Sequence, residues 1–171
     1  IREELEESNE FTADSSVKNE AWNRVVSDSE IKKYPDEDLK AAAEEYKNSM
    51  NTYAEQMGQT VEEFLKAQNI TQEELDEESQ QYAEYKVKQN LVLQAIMDAE
   101  GFSLDDEGSK KTAEQMEKDY GITIEEMNEQ YGEASVRESI ALSRVMDFIV
   151  ENAEVSKTAI TSDEKDGILT D

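Results

Sequence analysis

Apolar residues recur at intervals of three and four along most of this chain, the mark of helices that each bury one face. Over residues 2–28 the spacing falls on Leu5, Val17, Ala21, Trp22, Val25 and Val26, and Leu5 and Phe11 are the only large apolar side chains of a polar first half. A second stripe runs through Leu39, Ala42, Ala43, Tyr46, Met50, Tyr53, Ala54 and Met57. Ahead of it stand Tyr34-Pro35 and three acids, which suit the positive first turn of a helix, and Gly58 behind it can end the helix. Thr60-Val-Glu-Glu63, Thr71-Gln-Glu-Glu74 and Thr123-Ile-Glu-Glu126 are capping boxes: the hydroxyl can accept from the N3 amide while the glutamate reaches back to the threonine amide. Ser103-Leu-Asp-Asp106 reads as a fourth start. These signals predict a short helix over "VEEFLKAQ", a long one from Thr71 to about Glu100, and one from Ser103 to about Tyr120 whose first turns Gly108 weakens. A short helix from Thr123 to Tyr131 and a long last one over Glu133 to Ala153 follow. Beyond Ala153 the period is lost and the chain reads as a tail. One proline and six glycines in 171 residues, with few β-branched clusters, leave an all-α fold.

The pattern also repeats. "VKQNLVLQAIMD" at 87–98 matches "VRESIALSRVMD" at 136–147, and "QMGQTVEEF" at 56–64 matches "DYGITIEEM" at 119–127. The first copy carries an insertion, largely "NITQEELDEESQQY". Neither long-helix copy holds an obvious nucleophile, base or metal ligand, so the repeat reads as a packing unit. The expectation is a multi-helix cradle or bundle of two pseudo-repeated helix–short helix–long helix units. Val87, Leu91 and Ile96 then match Val136, Ile140 and Val145 as core positions. Residues 1–155 form the helical domain and 156–171 the tail.

Charge narrows what such a domain can meet. Forty-three acids against 17 bases give a net charge of −26, which repels nucleic-acid phosphates and anionic membrane surfaces. The same field suits basic or unfolded polypeptide partners. With no Cys and no His, thiolate catalysis, Ser-His-Asp triads and the usual zinc sites are excluded. No D-x-D-x-D-G loop and no Gly-rich phosphate loop occurs, so no cofactor, metal or nucleotide is expected. A pair of carboxylates could run acid–base chemistry, yet the acids fall at caps and on solvated faces. No apolar run approaches the ~20 residues that span a bilayer. The chain opens Ile-Arg-Glu-Glu without Met, as a piece of a longer product would, and a targeting signal or an enzyme is then expected upstream.

In order along the chain, "VKNEAWNRVVSDSEIKKYPDEDL", "YAEQMGQTVEEFLKAQNITQEELDEESQQYAEYKVKQNLVLQAIMDAEGFSLDD" and "YGITIEEMNEQYG…VRESIALSRVMDFIVENAEV" resemble the C-terminal chaperone domain of bacterial trigger factor. The likeness covers roughly residues 1–155; each motif alone is soft, and their ordered series is the specific signal. It implies an all-α, arm-bearing domain related in fold to SurA-type chaperones, with no catalytic residues of its own. It further implies an ATP-independent holdase for unfolded or nascent polypeptides, within a parent that is an FKBP-type peptidyl-prolyl isomerase. Ribosome docking would run only through an N-terminal domain absent from this sequence, and the location would be cytoplasmic, with an exported paralogue as the alternative. The strongly negative charge, Gly108 in an acidic helix start and the tail after Val155 depart from the family pattern.

A holdase needs apolar surface that repacks and lets go. Met supplies a flexible, polarizable side chain and Tyr an apolar face with a polar tip. The medium and short helices carry Met50, Tyr53, Met57, Phe64, Leu65, Met116, Tyr120, Met127 and Tyr131, whereas the long helices use Val, Leu and Ile. Part of the first set is therefore expected to line a client surface, with the long-helix set as scaffold. Ordinary core packing is the competing reading at each position, and for the whole domain a structural or homodimer-forming helical module.

Overall fold

Seven helices and no strand make up residues 2–153, which a computed structural model describes, with side chains from residue 14 onward. They are α1 (Arg2–Asp28), α2 (Asp36–Gln56), α3 (Val61–Gln68), α4 (Gln72–Glu100), α5 (Glu107–Tyr120), α6 (Ile124–Tyr131) and α7 (Glu133–Asn152). The all-α expectation holds over this range. The side chains of Leu5 and Phe11, and the expected tail at 156–171, lie outside the described residues.

Local chemistry explains the element boundaries. All three Thr-x-x-Glu boxes close in both directions: the Thr60, Thr71 and Thr123 hydroxyls each accept the N3 amide at 3.2 Å. Glu63, Glu74 and Glu126 accept the threonine amides at 2.9, 2.7 and 2.8 Å. In each box the residue after the glutamate is a buried anchor, namely Phe64, Leu75 and Met127. Ile70 packs in the Leu75 cluster and Ile122 in the Met127 cluster, each a hydrophobic staple that fixes how the chain enters the helix. At the end of α2, Gly58 adopts φ +71°, its amide reaches Glu55 O at 2.9 Å and the Gln59 amide reaches Ala54 O at 3.0 Å. This Schellman closure satisfies the last carbonyls and turns the chain into α3.

The fourth start differs from expectation. Asp106, not Ser103, caps α5: its carboxylate accepts the Ser109 amide at 2.7 Å and the Ser103 amide at 3.0 Å. A charged acceptor serving two amides outcompetes a hydroxyl serving one. Pro35 likewise stands at the N-cap of α2 rather than inside its first turn.

Four apolar clusters hold the helices. Trp22 and Val26 of α1 meet Val92 and Met97 of α4 and Ala141, Val145 and Met146 of α7. The first half of α4 packs along α2 through Ala42, Ala83 and Val87, and farther out through Ala54, Phe64, Leu65 and Leu75. Met127, Val136 and Ile140 join α6 to α7, with Ala113 and Met116 of α5 against them. α4 thus serves α2 along its first half and α1 and α7 along its second, so its buried face shifts along its length. For that reason Leu91 and Ile96 are only half-buried, while Val87, Val136, Ile140 and Val145 are core as expected. Val92/Ala141 and Met97/Met146 are matching positions buried in both copies. The short helices also dock differently, α3 against α2 and α6 against α7. Polar ties reinforce the α2–α4 pairing: Lys86 binds Glu45 at 2.7 Å, Lys47 pairs with Asp76, and the Tyr46 hydroxyl donates to Glu78 at 3.1 Å. On the other side Lys18 of α1 bridges to Asp147 of α7 at 2.8 Å.

Candidate binding surfaces

The nine residues singled out from sequence fall into two separate groups. Met50 and Tyr53 lie on α2 and Met57 at its C-cap, beside Phe64 and Leu65 of α3. The Tyr53 ring meets Phe64 edge-on, with centroids 5.5 Å apart, so the buried phenylalanine props the half-exposed tyrosine. Met57 next to it is 56% exposed. Phe64 and Leu65 themselves are core, which leaves Tyr53 and Met57 as the accessible apolar surface, with Met50 partly covered.

In the second group Met116, Tyr120, Met127 and Tyr131 share one groove of about 310 Å³ between α5, α6 and α7. Met127 is buried at 4% exposure, whereas Tyr120 and Tyr131 are 70% and 60% exposed. Ile122, Val136, Ser135 and Ser139 complete the lining. Sequence reasoning missed these four; the staple position of Ile122, one residue ahead of the Thr123 cap, was the available signal. The two groups match along the repeat at Met57/Tyr120 and Phe64/Met127. Met57 and Tyr120 each stand directly before a left-handed glycine and are exposed, while Phe64 and Met127 each follow a capping glutamate and are buried.

Two further cavities mix polar and apolar side chains, Val87 and Leu91 among the apolar ones in the first and Leu93, Met97 and Leu104 in the second. The first, of about 410 Å³ beside α2 and α4, is also lined by Glu45, Lys86, Asn90 and Gln94. The second, of about 290 Å³ between α4 and α7, shares Asn90 and Gln94 and adds Arg137 and Glu138. Its hydrogen bond to Glu45 leads the causes that hold the Lys86 ammonium above its ordinary pKa. Burial, then the bond to Glu78, pushes the Tyr46 phenol up. The threonine amides, then the hydroxyls, hold Glu63, Glu74 and Glu126 below the usual carboxylate range. These shifts belong to caps and interhelical ties.

One contact had no sequence signal. Arg144 of α7 lies over the Phe102 ring, 4.2 Å from its centroid, and presses against the backbone of Gly108 in α5. Phe102 meets Phe148 edge-on at 5.3 Å. The glycine that seemed only to weaken α5 is the space into which the guanidinium fits.

Among the described residues no three acidic side chains gather as a metal-ligand group, and no helix is long and apolar enough to cross a membrane. The family model described as the bacterial trigger factor protein C-terminus matches residues 1–151. Trigger factor of Streptococcus uberis is 27% identical over 154 residues, covering 90% of this chain and 36% of that protein. Trigger factor of Streptococcus agalactiae serotype V shows the same identity and coverage, and that of Streptococcus pneumoniae serotype 2 is 27% identical over 157 residues. The chain therefore spans about a third of the length of these relatives. No solved structure matches.

Proposed function

The chain belongs to the family of bacterial trigger factor C-terminal domains, and from that premise we propose that it is an ATP-independent holdase for unfolded or nascent polypeptides. In this reading the helices form a cradle: α2 and α3 on the first half of α4 make one arm, α5 and α6 on the first half of α7 the other, and α1 joins them at the base. The observation that carries the reading is the matched exposure of Met57 and Tyr120 at equivalent points of the two arms, with Tyr53 and Tyr131 beside them. Adaptable apolar side chains left in solvent at repeated positions give one client matched points of contact. Each exposed apolar point is small, so a client is held by several weak contacts and released without nucleotide. A net charge of −26 favours clients rich in Lys and Arg.

Peptidyl-prolyl isomerisation and ribosome docking, where a parent protein carries them, belong to other domains and not to residues 1–151. Cytoplasmic residence goes with the same reading.

The test is light scattering of a chemically unfolded, aggregation-prone protein diluted into buffer with and without the chain. Suppression near stoichiometric amounts, without nucleotide, is expected. A Met57→Ser/Tyr120→Ser/Tyr131→Ser variant should lose most of it while keeping its helical circular dichroism, because all three side chains are more than half exposed. Met127 and Phe64 are unsuitable for this purpose, since removing either would also open the core. Absence of suppression by the unmodified chain would leave a structural or dimerising helical module. Full suppression by the triple variant would move the client surface elsewhere.

A further inference from the structure

Both short helices are fastened by one device. The N3 glutamate takes the threonine amide and hydroxyl, and the next residue is the buried anchor, Glu63 before Phe64 and Glu126 before Met127. A helix of eight residues is too short to persist in isolation, so cap and packing together must hold it. The ionised carboxylate is the strong acceptor in this geometry, and its charge also suits the positive end of the helix; a neutral carboxyl forfeits both advantages. At α6 a second carboxylate helps, Glu117 accepting the Ile124 amide at 2.8 Å.

We propose that α3 and α6 are acid-released covers: as the pH falls below about 4, their glutamates take up protons, the helices lift from α2 and α7, and Phe64, Leu65 and Met127 join the exposed apolar surface. The inference rests on the holding function above and names what regulates those same surfaces. Its direction follows from linkage. The threonine bonds lower the Glu63 and Glu126 pKa values, so their stabilisation is complete above the unfolded range near about 4.3 and is lost as the pH falls through the lower folded values.

The surrounding charges leave this direction unopposed. Neither glutamate pairs with a Lys or Arg among the described residues. On α3 itself stand Glu62 and Lys66, and on α6 Glu125 and Glu129. From α2 come Tyr53 and Glu55, with Tyr46 bonded to Glu78 and Lys47 paired to Asp76 of α4, ties that acid weakens in the same sense. Glu73 and Glu74 open α4 beside them, and Glu74 is fastened like Glu63. From α5 comes Glu117, and from α7 come Glu133 with Arg137, 4.0 Å apart, and Glu138. The base behaves differently. Its Trp22, Val26, Val92 and Val145 contacts contain no carboxylate, and acid relieves the self-repulsion of a −26 chain. In the base, acid loosens the Lys18 ties to Asp14 and Asp147, the exposed Arg24–Asp28 pair within α1 and the Asp106 cap of α5, all of them outside that apolar cluster. The tips therefore open while the base stays closed.

Amide hydrogen exchange of the full chain at pH 7 and about pH 3, corrected for intrinsic rates, tests this without any client. Segments 60–68 and 123–131 should lose roughly fivefold or more protection relative to segments 17–28, 87–100 and 136–149. A Glu63→Gln/Glu126→Gln variant, neutral at every pH, should show that local loss already at pH 7 and little further change on acidification. Equal loss in tips and base, or a wild-type pH response in the Gln variant, overturns the proposal. Local release without any aggregation suppression at either pH supports the release and counts against the holding function instead.

Discussion

Gly108 shows how a single residue can carry two opposed meanings. In a helix a glycine costs about 1 kcal/mol relative to alanine, so Gly108→Ala should stabilise α5. A Cβ at that position, however, would stand 2.6 Å from Arg144 Cζ and Nη2, and the guanidinium would have to leave the Phe102 face. That cation–π contact is worth about 0.5–2 kcal/mol, enough to cancel the helical gain. Gly108→Ala is therefore expected to leave stability unchanged or lower it, whereas the same change in an Arg144→Ala background should raise it by about 0.5–1 kcal/mol. Urea unfolding of the four proteins measures the coupling, and additive effects would show that the close fit is not there. The sequence carried no sign of this pair, because residues 108 and 144 meet only through the docking of α5 on α7. The same limit applies to the candidate site. Composition marked Met and Tyr as adaptable apolar groups, but whether Phe64, Leu65 and Met127 face inward depends on how each short helix lands, which periodicity over eight residues does not fix.

At the scale of elements, capping chemistry was the most legible part of the chain. Three Thr-x-x-Glu boxes opened helices where the spacing placed them, since the reciprocal bonds need only four consecutive residues. The fourth start moved three residues on, to Asp106, because a carboxylate able to reach two amides stood within the same turn. Helix length decides what each cap is worth to the molecule. Thr123→Ala removes the hydroxyl acceptor from an eight-residue helix, and about 1 kcal/mol is the expected cost. Thr71→Ala should cost a similar amount but only fray the first turn of α4, whose 29 residues are held by α2 along the first half and by α1 and α7 along the second. Amide exchange separates the two: the Thr123 variant should lose protection throughout 124–131, the Thr71 variant only near 72–75. Loss spread equally over both helices would mean that α6 is held by its packing on α7 rather than by its cap.

For the whole molecule, the repeated sequence units foretold two matched long helices but not that their short helices would choose different neighbours. That choice follows from side chains: α3 brings Phe64 and Leu65 to α2 and the start of α4, while α6 brings Met127, with Ile124 beside it, to Val136 and Ile140 of α7. Charge acts at this scale too, and salt separates its two effects. The ion pairs among the described residues are partly or largely exposed and so contribute little each, whereas 43 acids against 17 bases repel one another throughout the fold. Screening should therefore stabilise the domain. Between about 10 mM and about 150 mM NaCl, where the Debye length shortens from roughly 30 to 8 Å, thermal unfolding is expected to move up by a few degrees. Capture of a lysine-rich unfolded client should weaken over the same interval, because the field that repels the domain's own residues attracts that client. A neutral apolar client, held only at Tyr53, Met57, Tyr120 and Tyr131, should be captured equally well at both salt concentrations. Scattering assays on the two clients, read beside the melting curves, test the division directly: a fall in melting temperature with salt would show that the ion pairs outweigh the repulsion. Equal salt dependence for both clients would show that the apolar tips and the acidic surface do not act as separate determinants.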